Sequence, residues 1–271
     1  MRLYAPVFGE ISDAASWARL VTTSGYSAAN LPIAMTADDA TVQAYLSAAR
    51  TADIVVAEVG AWSNPIDPDS SKARNAISYC QQSLAWAEKI GARCCVNIAG
   101  SRHPSKWDGP HPENFSADTF DLIVQTTREI IDAVRPKRTW YTLETMPWIF
   151  PSSPDEYLDL IHAVDRAGFA VHLDPVNMIN SPKRAYQSGD FIRECFAKLG
   201  QYVRGCHAKD IILRENLTVH LDECRPGLGI LDYGAYLHEL KKLDPRTPLG
   251  LEHLDTEAEY RMGAHYLRAL M

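Results

Sequence analysis

The sequence predicts an α/β fold, a single (β/α)8 TIM barrel that takes residues 1–271 as one domain. Eight short apolar runs alternate with eight helical patterns, and no shift in composition marks a linker. The length of 271 residues also matches the about 250 residues typical of such a barrel.

The first run, Leu3 to Val7, reads as a strand, and from about Ser12 a helix follows with Trp17, Leu20 and Val21 on one face and Gly25 past its end. Tyr26 to Asn30 gives a weak second strand. Thr36, with Asp39 three residues on, marks a helix start for the stripe Val42, Tyr45, Leu46 and Ala49. Asp53 to Glu58 is the third strand. A polar loop then leads to a helix carrying Ile77, Cys80, Leu84 and Ala87, closed by Gly91. Arg93 to Ile98 is the fourth strand. The long stretch from Ala99 to Asn114 carries Arg102, His103, Trp107 and His111 and reads as a lid or rim.

Phe120, Ile123, Val124, Thr127, Ile130 and Val134 make the next helix, stopped by Pro136. Thr139 to Glu144 is the fifth strand. Ser153-Pro154-Asp155-Glu156 combines a capping serine, a first-turn proline and a glutamate three residues past the cap, and opens a helix ending at Gly168. Phe169 to Asp174 is the sixth strand, followed by a helix around Phe191, Ile192, Cys195 and Leu199. Tyr202 to His207 is the seventh, and the loop after it runs through the turn Pro226-Gly227-Leu228-Gly229. Asp232 caps the helix of Tyr236, Leu237 and Leu240. Pro248 to Glu252 is the eighth strand, and Tyr260, Ala264 and Leu267 mark the closing helix.

Composition narrows the function. With 46% hydrophobic and 23% charged residues and a formal charge of −7, the chain reads as a globular protein with no nucleic-acid surface, suited to a small polar substrate. No run approaches the roughly 18 apolar residues of a membrane span, and no signal peptide is visible. The expected location is therefore cytoplasmic, with the six cysteines as reduced, mostly buried thiols. Exposed barrel helices often pair, so a homodimer is the expected assembly.

Glu144, Asp174, His207 and Glu252 each stand where a strand gives way to loop, one strand-helix unit apart, at spacings of 30, 33 and 45 residues. In a barrel such positions converge on the mouth where chemistry is placed. Residues two earlier share the same face: Thr142, His172, Gly205 and Gly250, which suggests a wet or polar floor. His172 would orient a ligand from behind. Three carboxylates and one imidazole suit one divalent ion, Mn2+ first, with Mg2+, Co2+ or Zn2+ also compatible. Two of the carboxylates could move protons on either side of a carbon beside a carbonyl while the cation holds the enediolate oxygens. Asn97, Trp62, Trp148 and His253 are candidate lining of a substrate pocket, Glu58 ends the third strand as a further substrate contact, and Lys209 and Arg225 could meet a hydroxyl, carboxylate or phosphate. Asp210 reads as a structural partner for the loop that follows.

Leu143-Glu144, His172-Leu173-Asp174-Pro175, Cys206-His207-Ala208-Lys209-Asp210, Pro226 to Tyr233 and Leu251-Glu252-His253 resemble the sugar phosphate isomerase/epimerase family of the xylose-isomerase-like barrels. The resemblance covers essentially the whole chain. It implies a divalent metal on Glu144, Asp174, His207 and Glu252, with Glu144 and Glu252 as the acid/base pair, and a metal-dependent isomerase or epimerase of a ketose or related oxo-sugar. One position departs: the family's ketose enzymes usually carry histidine three residues after the metal-binding aspartate, and here Asn177 stands there, able to bond a substrate hydroxyl but not to carry a proton near neutral pH. That departure keeps open a decarboxylase or dehydratase of an oxo-sugar acid or inosose. A non-catalytic sugar-binding barrel is the third reading.

Overall fold

The computed structural model describes residues 1–271. In chain order the elements are β1 (Arg2–Tyr4), α1 (Ala14–Thr23), β2 (Ala28–Ala29), α2 (Asp39–Thr51), β3 (Val55–Val56), β4 (Glu58–Gly60), α3 (Ser70–Ile90), β5 (Cys94–Asn97), α4 (Ala117–Val134) and β6 (Tyr141–Glu144). They continue with α5 (Pro154–Val164), β7 (Phe169–Leu173), α6 (Pro182–Tyr186), α7 (Ser188–Leu199), β8 (Val203–Ala208), β9 (Asp210–Arg214), β10 (His220–Cys224), α8 (Tyr233–Leu240), β11 (Pro248–Leu251) and α9 (Glu257–Leu270). Each of the eight expected strands forms, the third as the interrupted pair β3 and β4. Seven strands share one sheet in the order β1-β11-β8-β7-β6-β5-β4, the parallel strand-helix alternation of an α/β barrel.

The chain comprises two compact units. One contains Met1–Ala57, Ile179–Arg193 and Gly205–Met271. Here β11 pairs in parallel with both β1 and β8, so that Tyr4 and His207 are each in register with Gly250. β2 pairs with β3. An antiparallel hairpin, β9 with β10, leaves the end of β8. This hairpin is absent from the sequence reading, which has loop there, because its outer strand is almost wholly exposed and lacks an apolar face. The other unit contains Glu58–Met178 and Glu194–Arg204, with β4, β5, β6 and β7 paired in parallel in that order.

Caps set the helix starts. Asp13 accepts from the Ser16 amide to open α1, and Asp232 accepts from the Ala235 amide to open α8. Ser153 accepts from the Glu156 amide as expected, but Glu156 returns its bond to the Ser152 amide rather than to the cap itself. The helix expected from Thr36 starts instead at Asp38, which accepts from the Thr41 amide. Gly91 ends α3 with a φ of 68°. α4 ends as expected before Pro136, with Arg135 in the left-handed region at φ 52°, whereas α5 stops ahead of Gly168 on Asp165, at φ 46°. Pro136 keeps the chain from resuming the helix after Arg135.

The six thiols are free and, except for the half-buried Cys224, buried. No helix is long and apolar enough to cross a membrane.

Candidate metal centre and active site

Parallel pairing decides which strand-end groups share a face. In the β4 to β7 unit, Glu144 is in register with His172 on the next strand, and Asp174 lies two residues further on, so all three project from the same side. Glu144 is buried and accepts from the Asn177 side-chain amide at 3.3 Å. Asp174 is fully buried, and its carboxylate accepts from the Val176 amide at 2.9 Å. Thr145 fixes the backbone there by donating its hydroxyl to the Asp174 carbonyl at 2.8 Å. The short turn at Val176–Met178 thus points the Asn177 amide at Glu144.

In the unit that contains β8 and β11, His207 is in register with Gly250, which places Glu252 one step beyond His207 on the neighbouring strand. His207 Nδ1 meets Glu252 Oε1 at 2.9 Å, and Lys209 Nζ meets the same oxygen at 2.6 Å. Tyr236 donates its hydroxyl to the His207 carbonyl and Tyr233 to the Lys209 carbonyl, so α8 pins this strand end from behind. Burial opposes charge on Glu252, but His207, Lys209 and His253 outweigh it and hold the carboxyl well below the usual carboxylate range.

One ligand atom from each of Glu144, Asp174, His207 and Glu252 lies within 4.8 Å of the others. This is a possible metal-binding group, and its donor chemistry fits a divalent ion: three carboxylates and an imidazole, on four different strand ends, with two of the carboxylates buried.

Of the residues expected beneath these groups, two are polar and bonded and one is packed by an aromatic ring. His172, with no exposure, bonds Glu58 Oε2 through Nε2 at 2.9 Å. Thr142 donates to the Cys95 carbonyl. A side chain on Gly250 would run into the Tyr4 ring, so this glycine makes room for an aromatic residue of β1 rather than for a cavity. Glu58 thus partners His172, and Cys94 brings its sulfur within 4.8 Å of the same pair.

Several expected contacts are engaged elsewhere. Asn97 is in register with the apolar Leu143 and faces the same side, where it bonds Ser63, Cys80 of α3 and Tyr141, which takes it out of the expected pocket lining. Arg225 donates to Glu259 of α9 at 2.7 Å. Trp62 is 42% exposed with its indole over Gly60. Trp148 donates to the Asp108 carbonyl at 2.7 Å and so ties down the Ala99 to Asn114 stretch. Ser101 and Asn114 bond within that same stretch, which makes it a fixed rim. His253 is 60% exposed and its Nδ1 meets Glu223 at 3.1 Å; that carboxylate holds the imidazole above its ordinary value.

Glu223, on the outer strand of the hairpin, escaped the sequence reading and also lies 3.9 Å from Lys209 Nζ. Asp210 matches its expected structural part. Its carboxylate accepts from the amides of Ile211, Gly227, Gly229 and Leu231, closing the glycine turn against the base of the hairpin. Gly229 has to be glycine because a side chain there would strike Asp210 and the Ile211 carbonyl. Asp210→Ala would strand these amides and is expected to cost about 2–5 kcal/mol, read as a lowered midpoint in thermal or urea unfolding. An unchanged midpoint would remove Asp210 from this role.

A family model described as xylose isomerase-like TIM barrel matches residues 18–270. No curated protein matches the chain. Among solved structures, the chain is similar to the probable 3-DHS dehydratase AsbF involved in petrobactin synthesis from Bacillus anthracis, at 17% identity and a TM-score of 0.73, covering 99% of this chain and 97% of that one. It is also similar to D-psicose 3-epimerase with D-tagatose from Clostridium cellulolyticum H10, at 16% identity and a TM-score of 0.69, covering 100% and 99%. A xylose isomerase-like TIM barrel protein from Mycobacterium smegmatis in complex with magnesium gives 16% identity and a TM-score of 0.64, covering 96% and 91%. At these identities the likeness to solved structures is one of fold.

Proposed function

Because the chain belongs to the xylose isomerase-like TIM barrel family, we propose that it is a metal-dependent isomerase or epimerase of a ketose or related oxo-sugar, with residues 1–271 acting as one barrel domain. The observation that carries this reading is the ligand group Glu144, Asp174, His207 and Glu252. These four side chains would hold one divalent ion, Mn2+ being best suited to the oxygen-rich set, and the chemistry it supplies when bound is polarisation of the substrate carbonyl.

The chain's own groups would do the proton work. Glu252, whose carboxylate His207 and Lys209 meet at 2.9 and 2.6 Å, would take a proton from the carbon beside the carbonyl. Glu144 would serve the opposite face, with the Asn177 amide orienting its carboxylate. Removal on one side and return on the other inverts the carbon. The solved structures of similar fold include the D-psicose 3-epimerase named above.

Protein loaded with Mn2+, Co2+ or Mg2+ is expected to incorporate solvent deuterium at that carbon of a ketose, and Glu252→Gln to lose the exchange. A second reading, dehydration or decarboxylation of an oxo-sugar acid, is favoured by Asn177, which leaves that side of Glu144 without a proton carrier. Failure to exchange with every ketose, together with release of water or carbon dioxide from an oxo-acid, would replace the first reading with the second.

A further inference from the structure

Three further donors meet inside the β4 to β7 unit. Glu58, Cys94 and His172 each offer a ligand atom, and these atoms lie within 4.8 Å of one another. Glu58 and Cys94 stand opposite each other in the register of β4 with β5, and His172 reaches Glu58 from β7. Cys94 and His172 have no exposure, and Glu58 has 7%. The face that carries them is the one that carries Glu144. Barrel strands normally fill such positions with Val, Ile and Leu. Here they hold an acid, a thiol and an imidazole, none of which belongs to the group at the mouth.

This donor set differs in kind from Glu144, Asp174, His207 and Glu252. A thiolate and an imidazole select zinc over the hard ions that an oxygen-rich set prefers. Charge agrees with burial, because Zn2+ with one thiolate, one carboxylate and a neutral imidazole sums to zero and leaves no unbalanced charge in the interior. Binding is balanced too: the Cys94 thiol proton leaves to solvent, and the imidazole binds through Nε2 with its proton on Nδ1. Tetrahedral zinc, with bonds of about 2.0–2.3 Å, sets neighbouring donors roughly 3.3–3.6 Å apart. His172 Nε2 and Glu58 Oε2, at 2.9 Å, need only open slightly. No other pair has to close by more than about 1.5 Å to reach that spacing, a shift that side-chain torsions supply.

We infer that Glu58, Cys94 and His172 form a second metal site, a zinc centre that ties β4 and β5 to β7, with a water as fourth ligand. The inference does not depend on the sugar reading of the mouth. All three donors are sealed, so the ion enters as the chain folds and stays when a chelator strips the mouth, where Glu252 is partly open to solvent. His172 is in register with Glu144 and two residues before Asp174, so the centre steadies two strand ends that carry mouth donors.

The test uses the full chain, expressed in zinc- or cobalt-supplemented medium and dialysed in its native state against EDTA. Metal analysis should then find one zinc per chain. X-ray absorption at the zinc edge should show one sulfur neighbour at about 2.3 Å. The cobalt form should show a thiolate-to-metal charge-transfer band. Cys94→Ser should lose both the band and the retained zinc. Cys95→Ser, equally buried on the opposite face of β5, should keep both, as should His207→Ala, which damages only the mouth. No retained zinc in the wild type would overturn the inference, as would a zinc shell with no sulfur or with more than one. A band that survives Cys94→Ser would overturn it too, and zinc lost in His207→Ala would place the ion at the mouth instead. Should Cys94→Ser not fold, the sulfur count in the wild type decides.

Discussion

His207→Ala is expected to abolish turnover and to weaken divalent-ion binding by at least about 10–100-fold, since even the groups that support a metal ligand carry effects of that size. Loss of several kcal/mol of charge stabilisation corresponds to a rate lower by about 10³ or more. His207 has two attachments, of which alanine would cut one. Its ring bonds Glu252 at 2.9 Å, which the substitution removes, while its backbone carbonyl still accepts from Tyr236. The strand should therefore stay in place, and Lys209 still holds Glu252 at 2.6 Å. Wild-type protein should gain about 2.7 kcal/mol of stability from an ion at a hundred times its dissociation constant, and the variant should gain far less at the same concentration. Calorimetric titration with Mn2+ and unfolding with and without the ion measure both effects. A variant that still binds the ion and still exchanges deuterium would remove His207 from the site.

The residues that were legible in the sequence are those whose position along a strand carries the information. Glu144, Asp174, His207 and Glu252 each end an apolar run, and a parallel sheet brings successive strand ends to one side whatever the details of packing. Asn97 gives the same local signal, a polar group closing a strand, yet it faces α3. Which side a strand residue takes is fixed by pairing, and its partner Leu143 is an outward apolar residue that only the register reveals. Glu58 and His172 were readable singly but not as a pair, because their bond joins β4 to β7 across 114 residues. Glu223 left no trace, since an exposed polar strand such as β10 lacks the alternation that identifies a half-buried one. The convergence of Glu144, Asp174, His207 and Glu252 was legible, therefore, and the pairings of Glu58 with His172 and of Glu223 with Lys209 and His253 were not.

Gly250 shows how such a hidden contact reaches the site. The sequence suggests a wet or polar floor at this position, but the space beside Gly250 is taken by Tyr4, the register partner on β1. Gly250 lies outside the left-handed region, so a side chain is barred by the ring and not by the backbone. Gly250→Ala is expected to cost about 1–3 kcal/mol, because two hydrogen-bonded strands cannot part to admit a methyl group without losing their ladder. That corresponds to a fall in Tm of about 2–4 °C for each kcal/mol in a chain of this size. Tyr4→Leu in the same chain should recover part of the loss, giving a favourable coupling in the double-mutant cycle; strictly additive costs would show that the ring is not the obstacle. Glu252 stands two residues beyond Gly250, so any relief taken by shifting β11 moves a proposed ligand. The single variant should then also bind Mn2+ more weakly, and the double variant should regain affinity along with stability. Recovered stability with affinity still lost would mean that Tyr4 itself, and not merely the volume it fills, sets the position of Glu252.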